Sequence, residues 1–154
     1  MKALDLGNFT IEAPAAYQVK MLLLCGPRDA PNPKRPSYLK NVMISWEEVS
    51  AGLDAEAYAR AQLGHLAGSL PGYQRLRSED IEIGGVAARL VEIRCMGPNG
   101  IHLANLLAYC VLGRTAYTLS ASHLMGHWFS GARSEFLRIF ESLTFSEGAV
   151  GAAA

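Results

Sequence analysis

The side chains best suited to chemistry are four histidines and three cysteines, and their spacing decides whether they could act together. His65, His102, His123 and His127 follow neither an HxH nor an HExxH pattern, which would place two imidazoles on one metal ion. Cys110 lies in the same predicted strand as His102, roughly 26 Å away at the rise of a strand, too far for a thiolate and its base. We therefore expect no metal site, no cofactor and no catalytic residues.

Glycine and serine patterns give no stronger sign of catalysis. Gly84-Gly85 and the 97–100 segment stand between strand-like segments, and no helix start follows them, which favours hairpin turns over phosphate cradles. Walker, Rossmann and nucleophile-elbow patterns are missing from the sequence. The sequence therefore predicts a protein that is not an enzyme, and an enzymatic alternative would require a cavity holding a perturbed titratable group.

The composition indicates one small domain with an unusually apolar surface. Of the 154 residues, 50% are hydrophobic and 18% are charged, and the formal net charge is zero. This balance favours neither nucleic acid nor an anionic membrane surface as a partner. We expect a single domain over residues 1–146, a flexible tail over 147–154, and apolar surface that a partner or a second subunit covers.

The amino-terminal segment predicts a cytoplasmic location. Asp5 and Glu12 occupy the region where a secretory signal would be apolar, and the run Met21 to Cys25 has the length of a strand. The cysteines are odd in number and far apart in sequence, which is typical of buried thiols in a reducing compartment.

Two helices and a series of short strands can be placed from the sequence. The clearest helix runs from Asp54, a suitable N-cap, to Leu70, where Pro71-Gly72 stops it. A second amphipathic helix is predicted over His127 to Ser142, with Leu143 to Phe145 as a short final strand. The other strands are predicted at 4–6, 9–11, 19–25, 41–46, 74–83, 86–96, 101–112 and 115–122. Hairpin turns between most of them predict the α+β class, an antiparallel sheet with helices packed on it.

The strand over 101–112 is apolar on both faces. Leu103, Asn105 and Leu107 share one face, and that face should be polar if solvent covered it. Either the strand is buried on both sides in the middle of a sandwich, or one face docks an apolar molecule. Gln62 on the predicted helix also has two interpretations: its amide either faces solvent or contacts a guest molecule.

Several motifs in order along the chain resemble the DcrB-like domain family. They are NVMISWEE from Asn41, the spacing Asp54-x3-Tyr58-x3-Gln62-Leu63, the stop LPGY from Leu70, the hairpin IEIGGxxA from Ile81, and the closing SLxF from Ser142. The resemblance covers nearly the whole chain. It implies a PsbP-like fold, an antiparallel sheet flanked by helices in an α/β/α sandwich.

Because no secretory signal is predicted, the chain is most similar to the cytoplasmic Eag-type chaperones of bacterial type VI secretion. The resemblance implies a homodimer that binds the apolar N-terminal transmembrane segments of a Rhs- or PAAR-type effector before export. It implies effector-helix-binding roles for eight residues, with Asn105 standing where the family usually has glutamine. These residues are Leu22, Leu24, Gln62, Leu66, Leu70, Leu103, Asn105 and Leu107.

The expected mechanism is that a leucine-lined groove shields a guest helix while Gln62 and Asn105 bond its polar backbone atoms. Each Å² of guest surface removed from water is worth about 25 cal/mol. The alternative function is a small-molecule or lipid binder that uses the same apolar sheet face.

Overall fold

A six-stranded antiparallel sheet lies at the centre of the fold. The computed structural model describes residues 2–5, 10–13, 21–25 and 40–146. The elements in chain order are β1 (Lys2–Asp5), β2 (Thr10–Ala13), β3 (Met21–Cys25), β4 (Asn41–Glu48), α1 (Ala55–Ser69), β5 (Gln74–Ile83), β6 (Val86–Met96), β7 (His102–Leu112), β8 (Thr115–Leu124) and α2 (His127–Glu141). Strands β1 and β2 form a separate hairpin, and the central sheet has the order β3-β4-β8-β7-β6-β5.

Short connections join strands β5 to β8, which form one side of this sheet. Strands β5 to β8 pair with their sequence neighbours, and Gly84 and Gly85 both take positive φ in the first turn, as the predicted hairpin requires. Strand β4 then pairs with β8 in a register that sets Asn41 opposite Ser122. The pairing of β4 with β8 therefore joins parts of the chain that are distant in sequence.

The two helices cover opposite faces of the sheet. Helix α2 buries Phe129, Phe136 and Phe140 against one set of alternating sheet positions. Helix α1 buries Tyr58 and Leu63 against the other set. Each face has its own apolar cluster, so the predicted α+β class and the α/β/α layering are both confirmed.

Helix α1 has defined ends that fix it to the sheet. Its start is capped as predicted, with the Ala57 amide donating to the Asp54 carboxylate at 2.7 Å. At the other end the Leu70 amide donates to the Leu66 carbonyl, after which the chain leaves the helix. The Met96 amide then donates to the Pro71 carbonyl at 2.7 Å, which ties the helix stop to the end of β6.

Some sequence predictions need correction or lie outside the described residues. The final strand predicted at Leu143 to Phe145 is wrong: this segment is irregular, and Phe145 packs edge-on against Tyr117. The turn at Pro98–Gly100 is a short 3-10 helix, so β7 starts at His102. The predicted loop over 26–36 and the tail over 147–154 both fall outside the described residues.

Cys95 and Cys110 are buried free thiols, as predicted. Within the described ranges, neither helix is long and apolar enough to cross a membrane.

Candidate functional site: an apolar groove beside the first helix

A cavity of ≈ 540 Å³ opens between the carboxyl-terminal half of α1 and the sheet. Helix α1 packs mainly on β6 and β7, so positions of β8 and β4 on the same face extend beyond it. We call this cavity the α1 groove. Its lining consists of Leu66, Leu70, Pro71, Ile93, Cys95, Met96, Gly97, Pro98, Leu103, Asn105, Leu107 and Ser120.

Five of the eight sequence-predicted site residues meet in the α1 groove. Leu66 and Leu70 lie one helical turn apart and form its wall. Leu103, Asn105 and Leu107 alternate along β7 and form its floor. The shared face predicted for these three residues is thus observed, and α1 lies beside it.

Gln62 continues the wall one turn before Leu66, and its amide already has a partner. It donates to a Glu47 carboxylate oxygen on β4 at 3.4 Å. The same oxygen accepts from the Tyr58 hydroxyl at 2.7 Å, and Thr118 lies 3.2 Å from that hydroxyl. A polar cluster therefore attaches the first half of α1 to β4 and β8, and Gln62 belongs to its edge.

Burial raises the pKa of Tyr58 to about 12, and the neighbouring Glu47 carboxylate contributes in the same direction. The phenol therefore stays protonated at neutral pH and acts as a hydrogen-bond donor.

The strand register pairs the positions of Leu22 and Leu24 with residues that do not line the α1 groove. Their positions lie opposite Ile44 and Val42, which pack in the cluster under α2. Leu23 instead lies opposite Met43, and Met43 lies opposite Ser120 of the α1 groove. Because successive strand positions point to opposite faces, the register gives no support to placing Leu22 and Leu24 in a groove shared with α1.

The sequence prediction missed a polar strip in the floor. Ser120 lines the α1 groove, and Ser122, two residues further along β8 at the next position on the same face, lies opposite Asn105 on one side and Asn41 on the other. The alternation of serine with apolar residues in the segment TLSAS was the available signal. The groove therefore has an apolar wall and a floor that becomes more polar toward β8.

Asn105 is partly buried and donates to the Cys95 sulfur at 3.4 Å. Sulfur is a weak acceptor, and this bond occupies one of the two N–H groups of the amide. The second N–H group and the carbonyl oxygen give Asn105 further capacity toward a polar atom in the groove.

The described residues offer no ready catalytic centre. Among them, no three His, Cys, Asp or Glu side chains converge as metal ligands. Burial raises the pKa of the Cys110 thiol to about 11, so it is protonated at neutral pH, and it lies on the α2 side of the sheet. The lining of the α1 groove is mostly apolar.

Comparison with known proteins identifies the fold. No protein-family profile matches the chain, and no curated protein matches it. PA94 of Pseudomonas aeruginosa, a protein of unknown function for which a regulatory role has been suggested, is similar in structure, with a TM-score of 0.70 and 18% identity over 95% of this chain and 97% of that one.

Two further solved structures share the architecture. LpqN of Mycobacterium tuberculosis, involved in cell envelope biogenesis, has a TM-score of 0.57 and 14% identity, covering 79% of this chain and 76% of its own. The PsbP protein of Synechocystis has a TM-score of 0.53 and 8% identity, covering 87% and 98%. At these identities the likeness concerns the fold alone, and it agrees with the predicted PsbP-like sheet and helices.

Proposed function

We propose that this protein is a chaperone of the DcrB-like family that binds an apolar transmembrane segment of a secreted protein in the α1 groove. The observation that carries the proposal is the open groove, in which Leu66, Leu70, Leu103 and Leu107 surround a cavity of ≈ 540 Å³. The ordered sequence motifs resemble the DcrB-like domain family, and a type VI secretion effector as the guest is the more specific part of the proposal. The cytoplasm is the proposed site of action, because the effector must be shielded before export.

The groove chemistry suits a helical guest. Burying one leucine side chain fully is worth about 1.5–3 kcal/mol, so a few leucines on each side give useful affinity without enclosing the guest. Carbonyl oxygens of a helix keep a second lone pair, and Asn105 and Ser120 offer donors to it where small guest residues leave the backbone exposed. An open groove also permits release of the guest, which export requires.

The test is co-expression with a carrier protein fused to the apolar amino-terminal segment of an effector encoded beside this protein. The wild-type chain should form a complex that co-elutes in size-exclusion chromatography. Leu66→Asp, which puts a charge in the wall, should weaken the complex by about 10-fold or more, the equivalent of losing one buried leucine.

Leu76→Asp provides the matched control, because Leu76 on β5 is exposed and lies outside the α1 groove. The proposal fails if the wild-type protein leaves the fusion insoluble, or if Leu66→Asp and Leu76→Asp bind it equally well.

A small-molecule or lipid ligand is the second candidate for the same groove. It is favoured by the cavity volume, which falls in the range of about 300–1,000 Å³ found for small-ligand sites. Native mass spectrometry of protein purified from cells distinguishes the two, since a retained lipid adds a defined mass and a helical guest does not require one.

A further inference from the structure

A second cavity of ≈ 410 Å³ lies on the opposite flank of α1, between this helix and strands β5 and β6. Its lining is mixed: small and apolar residues on the helix face arginines on the helix and strands. The lining residues are Glu56, Ala59, Arg60, Leu63, Gly64, Ala67, Tyr73, Arg75, Ser78 and Arg89. Residues 66 and 70, which form the wall of the α1 groove, are not among them, so the two cavities are separate.

The charges around this cavity do not balance. Arg60 pairs with Glu56 at 3.0 Å, and Arg89 pairs with Asp80 at 2.7 Å. Arg75 makes no ion pair with any residue in the described ranges, although it lines the same cavity. Arg60, Arg75 and Arg89 thus line the cavity with Glu56, and Asp80 lies beside it, so there is an excess of one positive charge, on the exposed Arg75.

This excess of a single charge favours a carboxylate over a phosphate. A guanidinium presents parallel N–H donors that match the two oxygens of a carboxylate. A monoanion would neutralise Arg75, whereas a phosphate dianion would leave a net negative charge close to Glu56 and Asp80.

The helix side of the cavity can hold the apolar part of the same ligand. Ala59, Leu63 and Ala67 line it, and the missing side chain of Gly64 keeps it open. A Cβ added at Gly64 would meet no atom within 4 Å, so the described residues leave this room unfilled. Glycine is less favourable than alanine inside a helix, and no atom of the described residues lies close enough to require glycine at this position.

We propose that this cavity binds a small monocarboxylate with an apolar body, its carboxylate held by Arg75 and its apolar part lying along α1 at Gly64. The site is independent of the α1 groove and of the chaperone function proposed for it.

Isothermal titration calorimetry of the full chain with octanoate tests the proposal. Octanoate should bind more tightly than octanol, which lacks the charge, and more tightly than octyl phosphate, which carries an extra one. Arg75→Gln should weaken octanoate binding by about 10-fold or more, the usual effect of losing a charged hydrogen bond. Arg77→Gln is the matched control, because it removes the same charge from the same strand. Arg77 does not line the cavity, since the strand register shifts between Arg75 and Arg77.

Filling the cavity is the second arm of the experiment. Gly64→Leu should abolish octanoate binding without unfolding the protein, because the new side chain enters open space. Gly68→Leu is its control, since Gly68 lies in the same helix, also has nothing within 4 Å, and does not line the cavity. The proposal is overturned if octanol or octyl phosphate binds as tightly as octanoate, or if Arg75→Gln and Gly64→Leu both bind octanoate like the wild type. It is also overturned if Leu66→Asp abolishes binding, because that result would locate octanoate in the α1 groove.

Discussion

The Tyr58 hydroxyl gives the most discriminating test of how α1 is attached to the sheet. Tyr58 is 5% exposed, its hydroxyl donates to Glu47 at 2.7 Å, and its ring packs edge-on against Tyr109 with centroids 5.9 Å apart. Tyr58→Phe keeps the ring and removes only the hydroxyl. A hydrogen bond to a charged group is worth about 1.5–3 kcal/mol, but Glu47 is exposed and regains water, so we expect a loss of about 1 kcal/mol in the free energy of unfolding at pH 7.

The dependence of stability on alkaline pH provides a second test of Tyr58. Burial raises the pKa of Tyr58 from 10.0 to about 12, so the native state keeps the phenolic proton at a pH where the unfolded state has released it. The stability contributed by this proton is complete below pH 10 and is lost as the pH rises toward 12. Between pH 10 and 12, the free energy of unfolding of the wild-type protein should therefore fall by up to about 1.4 kcal/mol per pH unit more than that of Tyr58→Phe. The partly buried Tyr117 affects both proteins alike, whereas the buried Tyr109 adds to the difference, because Tyr58 is one of the groups that raise the pKa of Tyr109.

Urea unfolding followed by circular dichroism at several pH values between 7 and 11.5 measures both effects. Glu47→Gln is the control, since it keeps an acceptor for the hydroxyl and removes the carboxylate that helps raise the pKa of Tyr58. A stability difference between wild type and Tyr58→Phe that stays constant across this range would refute the reasoning, because it would mean that the phenol does not titrate differently in the two states.

Two further predictions concern the ends of elements. Asp54→Ala should lower the free energy of unfolding by about 1 kcal/mol, because the Ala57 amide loses its cap, and Asp54→Asn should restore most of it in thermal or urea unfolding. Gly84→Ala should destabilise the fold by about 1–3 kcal/mol more than Gly85→Ala: both glycines have positive φ, but only at Gly84 would a Cβ come within 2.8 Å of the Leu143 carbonyl. Equal losses of stability in the two variants would contradict that close approach.

Local signals in the sequence predicted most of the elements. The cap at Asp54, the stop at Pro71-Gly72 and the glycine turns each depend on residues that are close in sequence, so the helices and the β5–β8 hairpins were placed correctly. The alternation along β7 likewise predicted that Leu103, Asn105 and Leu107 share a face.

What the sequence could not predict depends on pairing between distant segments. The register of β3 against β4 decides which face Leu22 occupies, and one residue of offset changes the answer. The bond between Gln62 and Glu47 and the position of Ser120 in the groove both depend on β4 joining β8, which no local pattern specifies. The sequence also does not distinguish Arg60 and Arg89, which form ion pairs, from Arg75, which forms none with the residues that the structure describes.

The sheet order also has a consequence for how the chain folds. Strands β5 to β8 pair with one another in sequence order, whereas the pairing of β4 with β8 sets Asn41 opposite Ser122, more than half the chain's length away. Closing so long a loop is entropically unfavourable until both partners are ordered, so we infer that the β5–β8 meander forms first and serves as a template for β4. During synthesis β4 leaves the ribosome well before its partner β8 exists. Its apolar residues Val42 and Ile44 are then not yet covered by the core, so we infer that the newly made chain is prone to aggregation until β8 arrives.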